Sequence, residues 1–174
     1  MSDLVLTRIT DAAAAQPCIA LARAYFDDLV ADLDRHCDVQ MDAEEVEQIH
    51  ADLIAEGPVL LADPGRVYLG TVDGEPAAVG ALKPVADGVG EIKRLYVVPA
   101  HRGRGFGHRI FDQLIDDART MQYRTLRLET FPFMEAAVAM YRAYGFVDVD
   151  AFAGIEGGAH GVAQFEVFME LDLT

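Results

Sequence analysis

Lysine is scarce in this sequence, and negative charge dominates it. Of the 174 residues only Lys83 and Lys93 are lysines, and the formal net charge is -15 at pH 7. Binding to a nucleic-acid backbone depends on clustered Lys and Arg, so this balance argues against a nucleic-acid partner. The acid excess is compatible with steering a cationic amine toward a site, and equally with a solubility adaptation.

Cysteines and long apolar runs are also scarce. Cys18 and Cys37 form no Cys-x-x-Cys pair, and only His36 lies near either of them, so we expect two reduced thiols and no metal site. No stretch approaches the ~20 apolar residues of a membrane span, and the N-terminus lacks a basic, apolar leader. We therefore expect a soluble, cytoplasmic protein with no membrane partner. Since 52% of the residues are apolar, we expect one folded domain over residues 1–174.

The first part of the sequence predicts a strand and two acidic helices. Residues 4–10 alternate as a strand, and apolar residues recur at helical spacing over about residues 17–34. Asp42 then introduces a second helix, whose polar face is again acidic.

Beyond Gly57-Pro58 the pattern becomes strand-like. Asp73-Gly74 is a favoured two-residue hairpin turn, and Asp87-Gly88 is a second turn of the same kind. Three antiparallel strands are therefore predicted, and the last of them carries Glu91.

The second part predicts a strand, helix, strand unit followed by one more helix and two strands. Such a unit implies a parallel strand pair with a right-handed crossover. The expected elements are a helix beginning near Phe106, a strand at 124–130, a helix at 134–144 ended by Gly145, and strands at 146–150 and 164–173. Gly154 to Gly161 is a glycine-rich loop with no regular pattern.

A glycine loop lies between the predicted strand that ends at Pro99 and the helix near Phe106. Gly103, Gly105 and Gly107 stand at alternate positions, and glycine lets successive backbone N–H groups turn toward one point. The helix that follows adds its unpaired N–H groups and the positive end of its dipole. The loop is therefore predicted to bind an anion, with pyrophosphate the best candidate. The basic residues near it are His101, Arg102, Arg104, His108 and Arg109.

Two common phosphate loops fit this pattern less well. A Walker loop ends in Gly-Lys-Ser/Thr, and neither lysine of the chain lies here. A dinucleotide fingerprint has the spacing G-x-G-x-x-G, whereas this loop has G-x-G-x-G with an arginine before it.

Two motifs resemble those of the GNAT superfamily of acyl-CoA-dependent N-acyltransferases. Arg102-x-x-Gly105-x-Gly107, after a strand ending Val-x-Pro, is similar to the family's motif A. The segment L-R-L-E-T at 126–130, with A-V-A-M-Y-R-x-x-G-F at 137–146, is similar to its second motif. The order of predicted elements over nearly the whole chain also resembles the GNAT fold. The resemblance implies an α/β (α+β) architecture with about four helices and a mixed sheet of about seven strands, splayed between strands 4 and 5.

The resemblance also implies a site for acetyl-CoA, used as a co-substrate without any metal. The pantetheine arm would lie in the splay, against backbone groups of Leu95, Tyr96 and Val97. The pyrophosphate would lie on the loop formed by Arg102, Gly103, Arg104, Gly105, Phe106, Gly107 and His108.

The implied chemistry is direct attack of a neutral amine on the acetyl thioester, which calls for a base and an acid. Tyr141 occupies the position where many relatives place the acid, although an aromatic residue on an apolar helix face is generally a core residue. Two carboxylates compete for the role of base: Glu91, ahead of the loop, and Glu129, on the strand across the splay. Either could instead be an ordinary ion-pair partner of a nearby Lys93, Arg94 or Arg127.

Two departures from the family pattern bear on the site. Met134 stands where many relatives have an Asn that contacts the cofactor. Residues 151–161, which in similar enzymes help to close the acceptor site, are rich in Ala and Gly.

The resemblance leads us to expect an N-acetyltransferase acting on a primary amine of a small molecule. The alternatives are acetylation of a protein N-terminus or lysine, and a CoA-binding sensor without turnover. The presence of Tyr141 and of two carboxylates at positions where relatives carry catalytic residues argues against a non-catalytic sensor. A homodimer is an expectation by analogy with relatives.

Overall fold

The chain forms one mixed sheet with helices on both faces. The computed structural model describes residues 3–152 and 161–174, and within them it contains four α-helices, two 3₁₀ turns and seven strands. In chain order the strands and α-helices are β1 (Val5–Arg8), α1 (Gln16–Cys37), α2 (Ala43–Leu61), β2 (Arg66–Val72), β3 (Glu75–Ala86), β4 (Val89–Val97), α3 (Phe106–Thr120), β5 (Thr125–Thr130), α4 (Glu135–Ala143), β6 (Val147–Val149) and β7 (Val167–Asp172). The strand order in the sheet is β1-β2-β3-β4-β5-β7-β6. The predicted fold class and order of elements are confirmed.

Tight turns join β2, β3 and β4 into an antiparallel meander. Asp73 and Gly74 have φ angles of 52° and 86°, as the predicted type I′ turn requires. At the second turn Ala86 pairs with Val89 across Asp87-Gly88. This meander brings the end of β4 to the middle of the sheet.

The predicted splay lies between β4 and β5, which run parallel. Their pairing covers only three positions, from Val89↔Thr125 to Glu91↔Arg127, after which the strands separate. The pairing of β4 with β3 also shifts register opposite Gly80, where Arg94 has a φ of 54°. A bulge bends a strand and strengthens its twist, so it favours this separation.

Helix α3 packs its apolar face on one side of the sheet. Ile110, Phe111 and Leu114 are fully buried there. A Cβ on Gly80 would lie 2.5 Å from the Cγ2 atom of Ile110, so glycine permits the close approach of α3 to β3. The predicted apolar face is confirmed.

Helices α1 and α2 cover the opposite face of the sheet. Asp42 caps α2 by accepting from the backbone N–H groups of Glu44 and Glu45, while the Glu45 side chain accepts from the N–H of Asp42. This reciprocal capping box stabilises the first turn of α2.

The predicted end of α2 at Gly57-Pro58 is wrong, because the helix continues through Pro58 to Leu61. Proline deprives only the carbonyl of Ile54 of its helical donor, and Ile54 is 48% exposed. Leu60 is buried in the core, and the N–H of Ala62 donates to the carbonyl of Pro58 at 3.2 Å. Packing of Leu60 therefore overrides the local breaker.

The last two strands are shorter than predicted. Strand β6 covers only Val147–Val149, and β7 begins at Val167 after a 3₁₀ turn at Ala163–Phe165. The predicted loop from Gly154 to Gly161 lies outside the described residues except for Gly161.

Candidate active site

The glycine loop presents a row of backbone donors to solvent. A 3₁₀ turn at Pro99–His101 follows β4, and Gly103 and Gly105 have φ angles of 75° and 79°. Gly105 is the N-cap of α3 and supplies no side-chain cap. In the part of the chain that the structure describes, the N–H groups of Gly103 and of residues 105–108 donate to no backbone carbonyl. A Cβ on Gly103 or Gly105 would meet nothing within 4 Å, so the space beside these donors is open.

Arg102 links the loop to β4 and to α1. Its Nε donates to the carbonyl of Val97 at 2.9 Å, and its Nη2 donates to Oδ2 of Asp28 at 3.1 Å. The same carboxylate oxygen accepts from the hydroxyl of Tyr96 at 3.0 Å, and the guanidinium lies 5.4 Å from the centre of that ring. Burial, followed by the hydrogen bond to Asp28, raises the pKa of Tyr96. The first arginine of the motif therefore fixes the geometry where strand, loop and helix meet.

The remaining basic side chains of the loop have partners of their own. Arg104 lies over the ring of Phe106 and contacts Nδ1 of His101 at 2.8 Å. His108 lies 3.3 Å from the hydroxyl of Tyr144. Arg109 pairs with Asp3 from the N-terminal segment. Positive charge is thus concentrated at the loop, as predicted, but is partly balanced by acidic residues.

A cavity of about 700 Å³ occupies the splay between β4 and β5. Leu95, Tyr96 and Val97 form its β4 wall, which is where the sequence places them. The start of α4 forms another wall and includes Met134. The other lining residues are Tyr25, Asp28, Leu29, Ala31, Asp32, Arg35, Pro99, Arg102, Phe133, Glu135, Ala136 and Ala137.

A second cavity, of about 70 Å³, lies under α1 and α2, next to the first. Tyr25 and Leu29 line both cavities. On the other side, Phe131 of the small cavity stacks on Phe133 of the large one with ring centres 5.1 Å apart. The other described residues around the small cavity are Phe26, Val30, Leu33, Met41, Ile49, Ile92, Lys93, Arg94, Glu129, Val162 and Glu166.

Tyr141 is buried in an aromatic cluster. Its ring centre lies 5.3 Å from that of Phe111 and 6.1 Å from that of Phe146. Burial raises its pKa well above the ordinary value, and the nearby Tyr25 adds to this rise. The hydroxyl of Tyr141 forms no hydrogen bond with any residue that the structure describes. The side chain therefore has the surroundings of a core residue and keeps its phenolic proton.

The two candidate carboxylates occupy different environments. Glu91 is 1% exposed, and its Oε2 accepts from Nε of Arg127 at 2.7 Å. Its Oε1 forms an ion pair with Nζ of Lys93 at 2.8 Å, but the geometry of this contact is not that of a hydrogen bond. Glu129 is half-buried and lines the small cavity, whereas Glu91 is not among the described residues that line it.

Two residues of this region had not been singled out from the sequence, and a third, Arg94, had been named only as a possible ion-pair partner of Glu91 or Glu129. Tyr25 and Asp28 lie on α1, whose apolar stripe and acidic face resembled those of any surface helix. Arg94 joins the region because the bulge turns it toward Glu56 of α2. No local signal marks such residues, since their roles depend on the docking of α1 and α2.

Among residues 3–152 and 161–174, no group of three or more His, Cys, Asp or Glu side chains is arranged to hold a metal ion. The helices in the same ranges include none that is both long enough and apolar enough to cross a membrane. Cys18 and Cys37 are both free thiols, as predicted.

Comparison with known proteins points to one family. Residues 23–146 match the model of the acetyltransferase (GNAT) family. The "IAA acetyltransferase" of Azospirillum brasilense is 29% identical over 146 residues, which cover 83% of this chain and 88% of that protein.

Solved structures agree with this match. A Klebsiella pneumoniae protein described as an acyl-CoA N-acyltransferase is 27% identical, with a TM-score of 0.69 and 98% of each chain covered. The PaiA N-acetyltransferase of Thermoplasma acidophilum, solved with coenzyme A, is 15% identical. Its TM-score is 0.70, and the alignment covers 97% of this chain and 99% of that one.

Proposed function

Because the chain belongs to the GNAT family, whose members are acyl-CoA-dependent acetyltransferases, we propose that it transfers an acetyl group from acetyl-CoA to the primary amine of a small molecule. The observation that supports this proposal is the open splay between β4 and β5, which holds a cavity bordered by Arg102 of the glycine loop and lies beside a second, smaller cavity that shares the wall residues Tyr25 and Leu29. A long anionic thioester fits the first space, and its acceptor fits the second.

The loop is suited to the pyrophosphate of the coenzyme. The N–H groups of Gly103 and residues 105–108 donate to no backbone carbonyl among the described residues, the space beside Gly103 and Gly105 is open, and α3 directs the positive end of its dipole toward this loop. The pantetheine arm lies along Leu95, Tyr96 and Val97, where β4 has separated from β5. Arg102 and Arg104 act mainly by fixing the loop, since both guanidinium groups already have protein contacts.

The acceptor amine must lose a proton before or during attack, because an ammonium group has no lone pair. Glu129 is the better placed base, since its side chain lines the small cavity. Glu91 is the second candidate, and its two cationic neighbours favour a structural role. As the amine nitrogen bonds to the acetyl carbon, its proton passes to the carboxylate directly or through water.

The carbon–sulfur bond then breaks, and the departing thiolate needs a proton. We assign this step to Tyr141, whose raised pKa keeps the phenol protonated and able to donate. Tyr141 is not among the described residues that line either cavity, but the nearby Tyr25 lines both.

The proposal is tested by titrating the protein with coenzyme A in a calorimeter and by measuring release of free thiol from acetyl-CoA with small amines and peptides. We expect coenzyme binding, and release that depends on a small amine. Binding without release on any amine would favour a non-catalytic sensor. Release only with peptides would favour a protein acetyltransferase. Absence of coenzyme binding would refute the proposal.

A further inference from the structure

We propose that the acceptor is a small aliphatic monoamine with a branched apolar body, and that polycationic amines are poor acceptors. The inference rests on the proposed function, because it names the substrate class of the same site. It follows from the walls, the charges and the size of the small cavity.

Most walls of the small cavity are apolar. Helix α1 contributes Phe26, Leu29, Val30 and Leu33, and Phe131 covers the end of β5. An apolar ligand body gains about 25 cal/mol for each Å² that these walls remove from water. A polar or charged body would lose its hydration without compensation.

The charged residues around this cavity are balanced. The described lining contains two cations, Lys93 and Arg94, and two anions, Glu129 and Glu166. Lys83 and Arg94 share Glu56, and Lys93 and Arg127 share Glu91, so these four cations exceed their two carboxylates by the two charges that Glu129 and Glu166 supply. A polyamine buried here would place a second or third ammonium group where no surplus of carboxylates neutralises it.

The acidic side chains of α1 do not change this balance. Asp28 and Asp32 line the large cavity, where Arg35 and Arg102 accompany them. Neither aspartate is among the described residues that line the small cavity. These two negative charges are therefore located outside the space for the acceptor body.

The size of the small cavity favours a short body. A cavity of about 150 Å³ is large enough to hold benzene. The small cavity, at about 70 Å³, is half that size and suits a branched chain of a few carbon atoms. The amino group then points to Tyr25 and Leu29, which line both cavities.

The test compares thiol release with isopropylamine, whose branched three-carbon body suits the small cavity, and with benzylamine, spermidine and kanamycin. We expect kcat/KM for isopropylamine to exceed that for spermidine and kanamycin by at least about tenfold, the scale of discrimination that an apolar pocket provides. Equal or better release with spermidine or kanamycin would overturn the inference and leave the proposed function intact. Coenzyme binding with no release of thiol on any of the four amines would overturn the inference. The proposed function is decided separately, by the assays with other small amines and with peptides described above.

A pair of variants tests the cavity itself. Val30 is half-buried in its wall, whereas Val59 is a 46% exposed residue of α2 outside the described lining. Val30→Asp should lower kcat/KM for isopropylamine by about tenfold or more while coenzyme binding, measured by calorimetry, is retained. Val59→Asp introduces the same charge on a helix surface and should leave kcat/KM unchanged. Equal values for the two variants, both bound to coenzyme, would overturn the inference.

Discussion

Replacing Glu91 and Glu129 by Gln, one at a time, separates a structural carboxylate from a catalytic one. Glu91 is 1% exposed and balances two cations, since Arg127 contacts it at 2.7 Å and Lys93 at 2.8 Å. A neutral amide of the same shape leaves both cations without their counter-charge. Breaking a buried ion pair costs about 3–5 kcal/mol.

The lower end of that range applies to Glu91→Gln, because the Arg127 side chain is 15% exposed and also lies 4.0 Å from the ring centre of Phe152. About 3 kcal/mol in a chain of this length corresponds to a fall in Tm of roughly 6–12 °C. Glu129→Gln should lower Tm by less, because the side chain is only half-buried. It should instead lower kcat by about 10²–10⁴-fold, as expected for loss of a general base.

Thermal unfolding followed by circular dichroism gives Tm, and initial rates of thiol release, measured against pH, give kcat and its pH dependence. The two variants carry the same chemical change, so each is the control for the other. We expect the rise of rate with increasing pH to disappear in Glu129→Gln and to persist in Glu91→Gln. An unchanged Tm for Glu91→Gln, together with loss of that rise, would refute the assignment and make Glu91 the base.

Three further predictions concern the acid, the loop and the capping box. Tyr141→Phe should lower kcat by about 10²-fold or more with little change in Tm, since the hydroxyl has no hydrogen-bond partner among the described residues. Because burial raises the pKa of Tyr141, the rate of the wild-type protein should not fall through ionisation of this phenol up to about pH 10. A fall in rate at alkaline pH that is absent in Tyr141→Phe would contradict this prediction. Gly105→Ala should lower the free energy of unfolding by about 1–2 kcal/mol, because the φ angle of Gly105 is 79°. Gly107→Ala, in the first turn of α3, should raise the free energy of unfolding by up to about 1 kcal/mol. Equal Tm values for the two variants would contradict the loop geometry. Asp42→Ala should cost about 1 kcal/mol in urea unfolding, and no change would show that the cap contributes nothing.

Much of the fold was predictable because its signals are local. The turn at Asp73-Gly74 depends on the φ angles that these two residues tolerate, and both are positive in the structure. The glycine loop likewise depends on Gly103 and Gly105, which adopt left-handed conformations as the motif predicts. Local signals failed at Pro58, where the buried side chain of Leu60 keeps the helix intact.

The sequence by itself determined the order of elements, the glycine loop and the pair of carboxylates that are candidates for the base. Tertiary structure alone decided that Glu91 is enclosed by Lys93 and Arg127 while Glu129 lines a cavity. It also brought Tyr25 to the wall of both cavities. The physical reason is the range of the interactions: turn and helix preferences act within a few residues, whereas burial, and ion pairs such as Glu91 with Arg127, depend on side chains that are tens of residues apart in the chain.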